Sequence, residues 1–366
     1  MNILYISHLT NAISQGPNYS VPAQVKAQSQ YDKVFWWNVS SAKQEFWLKD
    51  GLFHGLEEYP KLSLSFLPEP FSAPDIVVFE CFYYSEYLKL SSECRKKKIP
   101  YIIVPRSAFT KQGQAQHRIK KLLGNFFLFR KFYKGASAIH YLSQKEYEDS
   151  GSSWSRRHFI IPNGCEIHKN VIVRTNHSGW LEGISIGRFD PYQKGLDLLF
   201  EACKNLKEYM KEHKIRITLY GPERQGYKAE YKKYIIDNGL QEIIQIDERE
   251  GVFGDSKEET LTHADFFIMT SRFEGMPMSM VEALCYGLPC IASNGTNMGE
   301  FLSDYNAGFV CDVTARSIEE AIVKMSEHRE ELSIMSSNAV KLSYKFEWNS
   351  IAMESRSEYQ RIINGD

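Results

Sequence analysis

Two glutamates eight residues apart, Glu274 and Glu282, frame the stretch of this chain best equipped for chemistry. They lie in Ser271-Arg-Phe-Glu-Gly-Met-Pro-Met-Ser-Met-Val-Glu-Ala-Leu-Cys-Tyr-Gly-Leu-Pro289, on either side of a Gly/Pro break. The apolar run before it, Ala264 to Thr270, reads as a buried strand. Glu282 falls in the first turns of a short helix that stops at Gly287. A strand end, a glycine-containing turn and a helix N-terminus form an anion site, because free backbone N–H groups and the helix dipole point the same way. A carboxylate on each side can accept hydrogen bonds from hydroxyl groups. These are the parts needed to hold a sugar attached to a nucleoside diphosphate. Glu282 also has a plain structural reading, since Ser279-Met-Val-Glu282 has the spacing of a helix capping box. At Ser271–Glu274 the same box fails, because Gly275-Met-Pro277 stands where the helix would continue.

A second strand-end cluster is Ser185-Ile-Gly-Arg188, followed by Lys194-Gly195. An Arg fork and a Lys point charge at the two ends of one loop suit a diphosphate and can offset charge growing on a leaving phosphate. Gly187 and Gly195 allow close backbone approach. The bland alternative is a pair of solvated surface cations. Three further loops are weaker signals: Tyr220-Gly221-Pro222, Gly251-Val-Phe-Gly254-Asp-Ser-Lys257, and Gln15-Gly16-Pro-Asn-Tyr-Ser20 after the first strand. Pro105-Arg106-Ser107 follows another strand candidate. From Gln114 to Lys134, basic residues, among them His117, interleave with Leu122, Leu123, Phe126, Phe127 and Phe129. That stretch suits a membrane surface or a lipid-phosphate substrate. The favoured reading is a helix packed on the first sheet with a solvated basic face. His140, inside Ala138-Ile-His-Tyr-Leu142, reads as a packed histidine.

The elements that must position these residues alternate along all 366 residues. Strand candidates in the first half are 2–6, 33–39, 75–79, 101–104, 138–142 and 159–161. In the second half they are 183–187, 216–220, 243–246, 265–269, 289–292 and 308–310. The clearest helix pattern is Leu196, Leu199, Phe200, Cys203 and Leu206. Alternation of this kind predicts parallel, doubly wound sheets, and two such sets predict two Rossmann-like domains. The boundary falls in the polar connection Ile167–Trp180, and Trp348–Ile363 reads as a closing helix. The chain has no Gly-x-Gly-x-x-Gly fingerprint, P-loop or Ser-His-Asp pattern.

Composition sets outer bounds. With 43% hydrophobic and 24% charged residues and a net charge of -1, the chain carries no global basic field for nucleic acid. Met1–Ser7 reads as a strand rather than a signal peptide, and no run is long and apolar enough to span a bilayer. Seven scattered cysteines without a Cys-x-x-Cys pair read as free thiols in a reducing cytosol, not a zinc site. On that reading the sequons at Asn18, Asn38 and Asn176 are chance.

With these residues in view, the chain resembles a GT-B retaining glycosyltransferase of family 4, the glycosyl transferases group 1 type. The likeness runs the whole length and is strong in the second half. It is carried by Gly187-Arg188 with Lys194-Gly195, by Glu274 and Glu282 with Gly287-Leu-Pro289, by Ile161-Pro-Asn-Gly164 and by Phe346-Glu-Trp348. The resemblance implies two facing domains, residues 1–170 on the acceptor side and 171–345 binding the nucleotide sugar, with 346–366 a helix crossing back to the first. It implies that Arg188 and Lys194 hold the donor diphosphate with Gly187. Glu274 would hold the sugar, helped by Gly275, Met276 and Pro277, with Met278 and Ser279 at the helix start. Glu282 would bind the ribose, with Gly221 and Gly254 lining the site. Catalysis would fall to Glu274, Arg188 and Lys194. No metal or resident cofactor is implied.

In the first half, a single Gly16 replaces a Gly-Gly loop, and Pro105-Arg-Ser107 replaces a His-Gly, as in a Pro-Arg-Gly variant of surface-polysaccharide transferases. Gly16 and Arg106 are therefore the acceptor-side candidates. The implied reaction moves a hexose from a UDP- or GDP-sugar to a glycan or lipid-linked glycan in bacterial surface polysaccharide assembly (O-antigen, capsule or exopolysaccharide). The implied setting is the cytoplasm, with peripheral association at the inner membrane and no nucleic acid. A nucleotide-sugar epimerase and a non-catalytic sugar-nucleotide-binding subunit remain open alternatives.

Overall fold

Short apolar runs rich in Val, Ile and Phe form two all-parallel sheets in a computed structural model that describes residues 1–12, 15–115, 118–151, 153–154, 157–167, 173–175, 179–223 and 225–365. His117, Asn176 and part of the 167–180 connection lie outside the described residues. The chain divides into two units, Met1–Gly164 with Trp348–Asp366, and Cys165–Glu347.

The first unit is built on β1 (Asn2–Ser7), β2 (Lys33–Asn38), β3 (Phe53–Gly55), β4 (Ile76–Glu80), β5 (Tyr101–Val104), β6 (Ala138–Tyr141) and β7 (His158–Ile160). Their order across the sheet is β3-β2-β1-β4-β5-β6-β7. Strands β4, β5 and β6 are buried along their whole length. Such continuous apolar strands belong to parallel sheets covered by helices on both faces. The sequence reading missed β3: three residues, Phe-His-Gly, are too few to show a period of two. Its identity comes from pairing, Trp36 with Phe53 and Trp37 with His54. The closing helix Trp348–Asn364 packs on the helix Pro17–Ser29, with Tyr359 Oη 3.3 Å from Tyr5 Oη.

The second unit holds β8 (Leu181–Ile186), β9 (Ile215–Tyr220), β10 (Ile244–Ile246), β11 (Phe266–Met269), β12 (Cys290–Ser293) and β13 (Gly308–Cys311), ordered β10-β9-β8-β11-β12-β13. The order reverses between β8 and β11, and in an open α/β sheet that switch point opens a crevice at the strands' carboxyl ends. The helix Leu196–Asn205 buries Leu196, Leu199, Phe200 and Cys203 against this sheet, the face its spacing predicts.

Three expectations need correction or qualification. Cys165 and Cys285 form a disulfide, while Cys81, Cys94, Cys203, Cys290 and Cys311 are free. A partner 120 residues away cannot be seen in local spacing. The helix Arg118–Phe127 does not bury its apolar stripe, which faces outward. Within the polar connection, Arg174 is buried and donates to Ala264 O, Leu261 O, Thr262 O and Tyr286 O. It thereby closes the C-terminal ends of the helices Asp255–His263 and Met278–Cys285.

Candidate active site

Strand β8 ends at Ile186, and Gly187 turns the chain into a loop held by its N–H on Tyr220 O at 2.9 Å. Arg188 follows, half-buried, with Gln193 Oε1 at 3.3 Å as its hydrogen-bond partner among the described residues. Asp190 caps the single turn Pro191–Lys194 by accepting from Gln193 N. Gly195 then takes φ +61°, where a Cβ would meet Thr270 O at 2.1 Å. The Thr270 hydroxyl ties the same turn down, donating to Lys194 O and Gly195 O at 3.1 Å each. The cationic loop is therefore stapled to the end of β11, where the chain goes on to Glu274.

At that junction Lys194 Nζ lies 2.6 Å from Glu274 Oε1, with 15% and 11% of the two side chains exposed. The Ser271 hydroxyl donates to the same Oε1 at 2.9 Å. Glu274 Oε2 is left without a donor among the described residues, so one carboxylate oxygen is positioned and the other is free to accept. The backbone is fixed as well: Glu274 N donates to Gly295 O at 2.8 Å, and Asn297 Nδ2 bonds Glu274 O and Gly275 O. Pro277 is the N-cap of the helix Met278–Cys285, and no side chain caps it. The Met278 and Ser279 amides at its first turn have no acceptor among the described residues. The Ser279 hydroxyl instead donates to Ile186 O at 2.9 Å, closing the helix start onto the end of β8. This excludes the capping-box reading of Glu282, whose Oε2 pairs with Lys257 Nζ at 2.8 Å.

Gly187, Arg188, Lys194, Met269 and Tyr220 line one crevice of the second unit, at the switch point. Gly221 belongs there for a steric reason: a Cβ would sit 1.7 Å from Gly187 O. Gly254 is the N-cap of the helix that carries Lys257, with φ +53°. The sequence reading missed Thr270 and Asn297, and it gave no role to Gln193 and Lys257, which lie in loops it singled out. Their types and spacing carry no motif, and only the fold brings them to the site.

The acceptor-side candidates lie in the first unit. Gly16 starts the helix Pro17–Ser29 with an ordinary φ of -52° and open space where a Cβ would be. The Arg106 side chain is buried, not presented. Its Nε donates to Glu80 Oε2 at 2.8 Å, and its other nitrogens bond Ser20, Asn163 and Gln24. Arg106 and Ser107 both have positive φ, 48° and 69°, a conformation this network and the Glu146 carboxylate on Ser107 N hold in place. Arg106 thus ties its own loop to three segments of the unit: the helix Pro17–Ser29, the end of β4 and the chain at Asn163. His140 is packed, donating from Nε2 to Ile161 O at 2.7 Å, and burial pushes its pKa down to about 4.

Two parallel-sheet Rossmann-like units of seven and six strands are the arrangement of the GT-B fold. Residues 182–342, which hold every residue of the site at the second unit's switch point, match the family glycosyl transferases group 1. The chain is 24% identical over 268 residues to the uncharacterized glycosyltransferase MJ1178 of Methanocaldococcus jannaschii, covering 73% of this chain and 70% of that one. It is 26% identical over 194 residues to the amylovoran biosynthesis glycosyltransferase AmsK of Erwinia amylovora, covering 47% of this chain and 45% of that one. The putative colanic acid biosynthesis glycosyltransferase WcaL of Escherichia coli is matched over only 36% of its length. Among solved structures, Anabaena Alr3699/HepE in complex with UDP superposes with a TM-score of 0.73 at 15% identity, over 98% of this chain and 100% of that one. At that identity the likeness is one of fold.

Proposed function

We propose that this chain is a retaining glycosyltransferase that moves a hexose from a UDP- or GDP-sugar to a glycan or lipid-linked glycan in surface polysaccharide assembly. The observation that carries the reading is Glu274. One carboxylate oxygen is pinned by Lys194 and Ser271, and the other is open beside an uncapped helix start. An open carboxylate oxygen suits sugar hydroxyls, while Arg188, Lys194 and the Met278 and Ser279 amides suit a diphosphate. Glu282, paired with Lys257 at the far side of the same helix, is assigned to the ribose hydroxyls.

In the reaction, negative charge grows on the diphosphate oxygen as the anomeric C–O bond breaks. Side-chain cations and the helix start offset that charge, a contribution of about 2–4 kcal/mol for each well-placed donor. Glu274 is occupied by Lys194 and takes the role of a hydroxyl acceptor rather than a covalent nucleophile. The leaving phosphate then removes the acceptor's proton on the same face, which keeps the anomeric configuration. Relatives named for amylovoran and colanic acid biosynthesis support the polysaccharide setting.

The test is thermal-shift binding against UDP-, GDP-, dTDP- and ADP-sugars, for the wild type and Glu274→Ala in parallel. NMR of the product anomer follows with the donor that binds. The expected result is a shift with a UDP- or GDP-sugar that shrinks in the variant, and a product of unchanged configuration. No shift with any donor refutes the transferase site, and an inverted product refutes the mechanism.

A further inference from the structure

The helix Arg118–Phe127 is inside out. Ile119, Leu122, Leu123 and Phe126 recur at i, i+3, i+4 and i+7, the stripe that normally faces a core. Here those side chains, with Phe127 and Leu128, are 53–76% exposed. The opposite, polar side is tied to the body of the unit. Asn125 accepts from Tyr83 Oη at 3.0 Å and donates to Gln114 Oε1 at 2.9 Å. Lys121 donates to Gly113 O and lies 5.0 Å from the centre of the Tyr83 ring. Directly after the helix, Phe129 and Phe132 are buried against Phe82, so the segment is anchored at its base. Six large apolar side chains exposed together on one short segment make a patch that single exposed leucines do not.

Charge identifies what covers it. Residues 118–134 contain Arg118, Lys120, Lys121, Arg130, Lys131 and Lys134 and no acidic residue, in a chain whose net charge is -1. A second copy of this chain, docked face to face, would bring six cations against six. An anionic bilayer accepts both features: apolar side chains enter the headgroup boundary while flanking Lys and Arg pair with lipid phosphates. We infer that residues 118–134 form a docking surface for anionic lipid bilayers, with Ile119, Leu122, Leu123, Phe126 and Phe127 inserting and the basic side chains holding the headgroups. This surface does not depend on the donor site, and the two readings stand or fall separately.

The test is co-sedimentation of the full chain with phosphatidylcholine vesicles, with and without about 30% phosphatidylglycerol, at low and high salt. The expected result is partitioning onto the anionic vesicles that weakens with salt. Neutralising each cation lowers the partition coefficient about fivefold. The double variant Leu122→Glu with Phe126→Glu abolishes binding, while its melting temperature and its affinity for UDP stay at wild-type values. Failure to sediment with anionic vesicles, or binding that survives the double variant, overturns the proposal. A dimer in light scattering that the double variant dissolves, without vesicle binding, overturns it in favour of a second copy.

Discussion

If Glu274 accepts sugar hydroxyls while Lys194 grips the diphosphate, their alanine variants must change nucleotide affinity in opposite directions. Without ligand, the two share a 2.6 Å charge-assisted hydrogen bond. Unit charges about 4 Å apart near a protein surface attract by roughly 4 kcal/mol before desolvation is counted, so each group blunts the other's pull on a ligand. Lys194→Ala removes one cation from the diphosphate and leaves Glu274, still held by Ser271, repelling it. UDP affinity should fall by roughly 30-fold, about 2 kcal/mol. Glu274→Ala frees Lys194 to turn wholly to the phosphates, so UDP should bind as well as to wild type or up to about fivefold tighter. The extra affinity of a UDP-sugar over UDP should vanish in the same variant. Titration calorimetry with UDP and the preferred UDP-sugar, at fixed salt, measures all of these. Each variant strands a partly buried charge, so melting temperatures are recorded alongside; a loss of about 1–2 kcal/mol is expected. If Glu274→Ala weakens UDP as much as Lys194→Ala does, Glu274 is only a prop for Lys194 and its assignment to the sugar is wrong.

Other predictions come from packing and ionisation. Gly221→Ala should force the Gly187–Arg188 loop off its seat, because its Cβ would lie 1.7 Å from Gly187 O, and should lower both the second unit's melting temperature and UDP affinity. Arg174→Met should destabilise that unit by about 3 kcal/mol in urea unfolding, since the carbonyls at the ends of two helices lose their donor. His140 should make the first unit acid-sensitive. Its folded pKa of about 4 lies below its ordinary 6.5, so the stability it contributes is complete above pH 6.5 and is lost as pH falls toward 4. Linkage puts the loss at about 3 kcal/mol, and His140→Gln should flatten that part of the urea-midpoint profile against pH.

Much of the molecule was legible in the chain because parallel sheets bury both faces of their strands and leave short apolar runs that stand out from amphipathic helices. Among the described residues, twelve of the thirteen strands show such a run, and β3 does not, because pairing with β2 alone makes Phe53–Gly55 a strand. The site's outline was legible for a related reason. Gly187, Arg188, Lys194, Glu274 and Glu282 lie at strand ends and a helix start, and those breaks in pattern mark where a ligand can reach the backbone.

Tertiary structure alone decided how the charges are shared. Only the fold puts Lys194 on Glu274, Lys257 on Glu282 and Glu80 on Arg106, because these pairs join residues from separate loops and strands. It turned Arg106 from a candidate contact into a buried anchor, and joined Cys165 to Cys285. It also set which way the helix Arg118–Phe127 faces. A helical period states that one side is apolar; which side meets the protein depends on the hydrogen bonds of Asn125 and Lys121, and these belong to the fold.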